Sequence, residues 1–250
     1  MIPDRSRTAY QESAAGLARR ALGALRGTGG TAMVAEHVEQ AEDPGAALAA
    51  VRILGADTFA PVLLTGEALP PQDAEAVALA LTAFPPARDV TPAPPEGPEG
   101  PWVMAWRDWG TATLLALFDG GATGAPPTAP APPPPPGAAR SAASGGAEDW
   151  AGWSVRMGQL STLALPALDG PVHDAARAAP LALARGATRA VLRRDYPTAA
   201  RITRWLAWLR ADGVSLALDP VPLAEHIEVM AGGDRVALDA AIARRLMAGG

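Results

Sequence analysis

The chain of 250 residues carries 21 basic and 26 acidic side chains, a net charge of -5, and 49% of it is apolar. Every basic residue is arginine, and lysine, cysteine and asparagine are absent. Those absences exclude disulfides, thiolate nucleophiles, cysteine-based zinc and iron–sulfur sites, lysine Schiff bases and Walker A phosphate loops.

The acidic balance supplies no global field for a phosphate backbone, so no nucleic-acid partner is expected. The longest uncharged stretches are interrupted by Pro or Gly, and no apolar segment follows the charged N-terminus. A cytoplasmic protein with no secretory signal and no membrane segment is therefore expected.

Residues 6–26 predict an amphipathic helix, with Ala14, Ala18, Ala21, Leu22 and Leu25 at spacings of three and four. Gly27, Gly29 and Gly30 end it, and Thr31 is placed to cap a second helix through about Ala41. Pro44 opens a third over 44–54. Residues 58–69 fit a short strand or a buried loop, and 72–84 a helix striped by Ala76, Leu79, Ala80 and Phe84. Seven prolines between 85 and 101 predict an extended connector. A compact apolar piece, 102–118, precedes a second Pro-, Gly- and Ser-rich linker at 119–147, whose run Pro132 to Pro136 favours polyproline II.

Residues 150–168 have unclear periodicity, with a strand admissible over 160–165. A helix follows over 172–192, bent or interrupted at Pro180. The strongest helix signal is 198–211, capped by Thr198 and striped by Ile202, Trp205, Leu206 and Leu209. Residues 214–218 fit a strand or an extended connection, and helices at 221–231 and 234–247 complete the chain, Asp234 capping the last. The expected fold class is mainly α: multi-helix regions at 1–84 and 148–250, a few short strands, two Pro-rich linkers, and a Trp-rich docking segment at 102–118.

The run Leu22 to Arg26, a glycine turn and Ala35-Glu36-His37-Val38-Glu39 are echoed by Leu206 to Arg210, a glycine-containing turn and Ala224-Glu225-His226-Ile227-Glu228. A duplicated helix pair would produce such a match, as would coincidence in an Ala- and Arg-rich chain.

Trp102, Trp106, Trp109, Trp150 and Trp153 flank the second linker and are the candidate interaction residues. Spaced four and three apart, the first three line one helical face, which must dock onto this chain or onto a partner. His37, His226, His173 and Asp174 are the candidate polar site. His37 and His226 each lack a ligating side chain one helical turn away, so no metal and no cofactor are expected. Ser154 and Ser161 sit outside any Gly-x-Ser-x-Gly elbow. Long spacers, Trp-rich pieces and few catalytic side chains point to a non-catalytic accessory, adaptor or assembly subunit of a larger bacterial complex, partnered by another protein or by its own copies. The alternative is a small-molecule enzyme or ligand-binding protein with a Trp-lined pocket and Asp, Glu, Arg or His acid–base groups.

Overall fold

The computed structural model describes residues 4–30, 32–86, 91–121, 124–134, 136 and 150–249. The first part holds α1 (Asp4–Leu25), α2 (Met33–Glu39), α3 (Pro44–Leu54), α4 (Ala60–Thr65), α5 (Pro71–Ala83) and α6 (Glu99–Phe118). The second holds α7 (Trp150–Gln159), α8 (Pro171–Ala178), α9 (Pro180–Leu192), α10 (Tyr196–Ala211), α11 (Pro220–Met230) and α12 (Asp234–Ala248). The protein is mainly α-helical, and no strand occurs among the described residues.

The segments that admitted strands are not strands. A 3-10 turn, Gly55–Phe59, and α4 occupy most of 58–69, a 3-10 turn Ser161–Leu163 lies within 160–165, and 214–218 is irregular. Strand pairing requires a neighbouring edge, and short isolated apolar runs next to strong helices do not supply one. Helix α6 also begins earlier than expected, inside the Pro-rich stretch before Trp102.

Proline is the punctuation of this fold: it sits in the first turn of α3, α5, α8, α9, α10 and α11, where its missing N–H is not needed. Pro180 accordingly splits the 172–192 helix into α8 and α9. Aspartates supply several caps. Asp43 accepts from the Ala46 amide at 3.0 Å and Asp195 from the Thr198 amide at 3.2 Å. The cap of α10 is thus Asp195 rather than Thr198, one turn earlier than the sequence suggests. Asp234 is the first residue of α12, behind Gly233, and pairs with Arg19 of α1. Thr31 lies outside the described residues. The first amides of α2 are satisfied from a distance instead: the buried Asp73 of α5 accepts from Val34 and Ala35 at 2.9 and 2.8 Å.

Helix α10 runs through the interior, buried on every face from Ile202 to Leu209, with α7, α9, α11 and α12 packed around it. Helix α12 lies between α10 and α1, and α1 in turn packs on α3. One hydrophobic core therefore extends from Leu17 through Trp102 and Trp106 to Leu246. The two echoed segments are α1–α2 and α10–α11. In both, the next helix but one packs back on the first, α3 on α1 and α12 on α10. Both turns also hold a glycine at positive φ, Gly27 and Gly213.

By length and composition, Pro44–Thr65 taken as one stretch is long and apolar enough to cross a membrane, and 67% of its most apolar window is buried within this fold. Gly55, at φ 63°, breaks it into α3 and the 3-10 turn. Gly110 serves close approach rather than helix termination: it lies inside α6, and a Cβ there would collide with Leu163 Cδ2.

Replacing Asp73 with alanine removes the acceptor for two buried amides of a seven-residue helix. The expected loss is about 1–2 kcal/mol of unfolding free energy, read by urea denaturation, with Asp73→Asn retaining most of the wild-type value.

Candidate functional site

The tryptophans face inward. Trp102, Trp106 and Trp153 are fully buried and Trp109 nearly so, while Trp150, at the start of α7, is partly buried against the same core. Trp106 and Trp109 meet edge to face at 5.3 Å. The indole N–H groups of Trp102 and Trp106 both donate to the Ala131 carbonyl, at 2.7 and 3.3 Å. Residues 124–134 have no regular secondary structure, yet Pro130 and Pro133 are buried where this segment lies along α6. The Trp face of 102–118 thus docks on its own chain and not on an external surface. An extended Pro-rich segment suits such a contact, because its carbonyls have no internal partner. Trp205 is a core residue and donates to the Met157 carbonyl at 2.6 Å. Trp208 stacks under Arg177 at 4.8 Å, not under Arg204 as one helical turn would suggest.

The candidate polar residues do not converge. His37 is held by the Ser13 hydroxyl at 3.0 Å, whereas exposed His226 lies edge-on to Tyr196 at 6.1 Å. No group of three or more potential metal ligands forms among the described residues. His173 is fully buried between Trp205 and Trp208, and its Nε2 donates to the Leu163 carbonyl at 2.9 Å. Asp174 and Asp169 face solvent and bind Arg177, so no His–Asp pair is assembled. Ser154 donates to the Ala151 carbonyl.

The structure concentrates polar chemistry elsewhere. Asp57, in the 3-10 turn after α3, receives a two-pronged contact from Arg204 of α10 at 2.7 and 2.9 Å. Asp239 of α12 accepts from the same guanidinium at 2.8 Å, and Arg235, one turn before it, bridges both carboxylates at 2.6 and 2.9 Å. Asp57, Arg204 and Asp239 are completely withdrawn from solvent. Burial by itself would raise the Asp239 carboxyl, but Arg235 and Arg204 outweigh it and hold it below its ordinary value. A second two-pronged pair, Arg52 to Asp108 at 2.9 and 2.6 Å, ties α3 to α6.

Beside this network lies a cavity of about 300 Å³. Arg107 of α6, Arg201 of α10 and Arg235 of α12 line it, together with Gln159, Ser161 and Thr162 at the end of α7 and the following turn. Ala14, Ala15, Ile53 and Leu54 form an apolar side. Three buried polar atoms in this wall have no hydrogen-bond partner: Arg107 Nε, Gln159 Oε1 and Thr162 Oγ1. One outer nitrogen of Arg107, Nη1, meets the Met104 thioether at 4.0 Å. Burial, then the positive charges of Arg235 and Arg201, push the Arg107 guanidinium down to about 10, so it remains a cation at neutral pH. Arginines rather than tryptophans line this cavity. Sequence reasoning did not bring these residues together, because the lining comes from six separate parts of the chain. No local signal marks Arg204 as buried: α10 also carries Arg201 and Arg210, and the Ile202, Trp205, Leu206 and Leu209 stripe lies on its other side.

Two outcomes follow for the buried ionic groups. Asp57→Ala strands two guanidinium groups, and a loss of about 3–5 kcal/mol is expected by chemical denaturation. His173 and His37 are both shifted down by burial, so each binds its proton less readily folded than unfolded. Their contribution is complete above the unfolded histidine value of about 6.5 and is lost as pH falls below it. Urea denaturation should thus show stability falling from about pH 7 to about pH 5, and His173→Phe, which keeps the ring packing but does not titrate, should flatten part of that slope. Comparisons with protein-family models, with curated proteins and with solved structures find no match for this chain.

Proposed function

We propose that this chain is a helical binding protein for a small molecule, held in the cavity between α1, α3, α6, α10, α12 and the end of α7. The observation that carries this reading is a cavity whose lining includes Arg107, Gln159 and Thr162, three residues that each hold a buried polar atom without a partner. A buried polar group that forgoes its hydrogen bond costs about 1–3 kcal/mol, and three in one place are a burden on a purely structural core. A bound molecule that these side chains rotate to meet would supply their partners and remove the cost. Concave sites with a mixed apolar and polar lining are where small ligands are held.

Binding is favoured over turnover. Ser161 and Thr162 are the hydroxyls on this wall, and no histidine or carboxylate among its described residues stands by to activate them. An accessory role in a larger assembly draws less support, because the tryptophans that suggested a partner surface are used inside the fold.

Thr162→Val and Gln159→Leu each delete an unpartnered buried polar atom while roughly preserving volume. If the cavity serves a ligand, both free variants gain stability, with melting temperatures rising by about 2–4 °C for each kcal/mol recovered. Melting temperatures that fall in both variants would assign these groups to the fold and overturn the reading.

A further inference from the structure

Resting on the ligand-binding reading above, we infer that the cavity takes a compact dianion of the phosphate-monoester class, joined to a small apolar body. The charges beside the cavity fix its sign. Asp57 and Asp239 cancel Arg204 and Arg235, and Asp108 cancels Arg52. Arg107 and Arg201 remain: among the described residues neither has an ion pair to a carboxylate and no acidic side chain lines the cavity. Two uncompensated cations therefore share one small space in a protein whose net charge is -5.

Their mutual repulsion is part of what lowers the Arg107 guanidinium, and an anion between them relieves it. Guanidinium forks recognise tetrahedral and planar oxyanions with paired, charge-assisted hydrogen bonds. A phosphate monoester places a charge of about -1.5 to -2 and three acceptor oxygens in one compact group, which matches two cations lining the same cavity. A dicarboxylate spreads the same charge along its length, and a monocarboxylate leaves one cation uncompensated. The Thr162 hydroxyl adds a neutral donor to the same wall, and Gln159 Oε1 accepts from a protonated or hydroxyl-bearing ligand atom. Opposite them, Ile53 and Leu54 offer an apolar face for the remainder of the molecule. A cavity of about 300 Å³ accommodates the anion and a remainder about the size of one aromatic ring.

The test is isothermal titration of the intact protein with phenyl phosphate at constant ionic strength, with benzoate and succinate as comparison arms. One site per chain is expected, with phenyl phosphate at least about tenfold tighter than either carboxylate. Affinity should fall between about pH 7.5 and about pH 5 as the phosphate takes up its second proton near 6, while Arg107 stays charged. Arg107→Gln and the half-buried Arg201→Gln should each weaken phenyl phosphate by about tenfold or more without lowering the melting temperature of the free protein. Arg201→Gln keeps the test decisive should the Arg107 variant fail to fold.

Benzoate or succinate binding as tightly as phenyl phosphate, with the same arginine dependence, would overturn the phosphate inference and leave the binding site standing. Absence of binding by all three would also overturn it. The Thr162→Val and Gln159→Leu melting temperatures then judge the cavity independently.

Discussion

The buried ring of Asp57, Arg204, Asp239 and Arg235 is the constraint on which the architecture depends. It joins a turn in the first third of the chain to α10 and α12, through contacts 147 and 178 residues apart in sequence. Charges this deep are tolerated only as a closed set, because each alone would carry an uncompensated desolvation cost of several kcal/mol. Two carboxylates and two guanidinium groups balance one another, and Arg235 closes the ring from its partly exposed side. The ring fixes where α10, α12 and the Gly55–Phe59 turn stand relative to one another. Hydrophobic packing, being non-directional, cannot impose that register by itself.

The exclusive use of arginine is consistent with this chemistry. A guanidinium presents a rigid planar fork able to bridge two carboxylates, whereas an ammonium is a single point charge. In the ring Arg204 serves Asp57 and Asp239 at once, and Arg235 does the same from the next helix. The cavity is the place where this pairing stops. Arg107 follows α6 into the same region directly beside Asp108, whose carboxylate is already taken by Arg52, and Arg201 approaches one turn ahead of Arg204 on α10. Both reach the wall after the neighbouring carboxylates are committed, and this is why a positive site is embedded in an acidic protein.

The tryptophans and prolines form the other half of the construction. In a chain whose helices are built largely from alanine, bulky indoles fill the volume that small side chains leave. Trp102 and Trp106 also carry N–H groups that must be satisfied once buried, and the carbonyl of Ala131 in the extended Pro-rich segment accepts from both. Proline works in two ways here. It starts helices where an amide would be wasted, and it keeps a segment extended so that its carbonyls remain available.

The sequence by itself determined the helical class and most helix positions. Apolar spacing on α1, α3, α5, α10, α11 and α12, with prolines at the starts of α3, α5, α10 and α11 and glycines at several ends, is local information written within a dozen residues. It also determined that the Trp102, Trp106 and Trp109 face must be covered, since that follows from spacing and area alone. Tertiary structure decided what covers it, how α2 is capped by Asp73 from α5, and why the anticipated strands became turns. It also decided the site. The histidines stood out by rarity, yet each settled beside a different neighbour. Arg107, Arg201 and Arg235 looked like any other arginines in a chain of 21. A charged side chain is solvated or functional according to which carboxylates reach it. That is a property of helices brought together from positions 57 to 239, and no local window of sequence contains it.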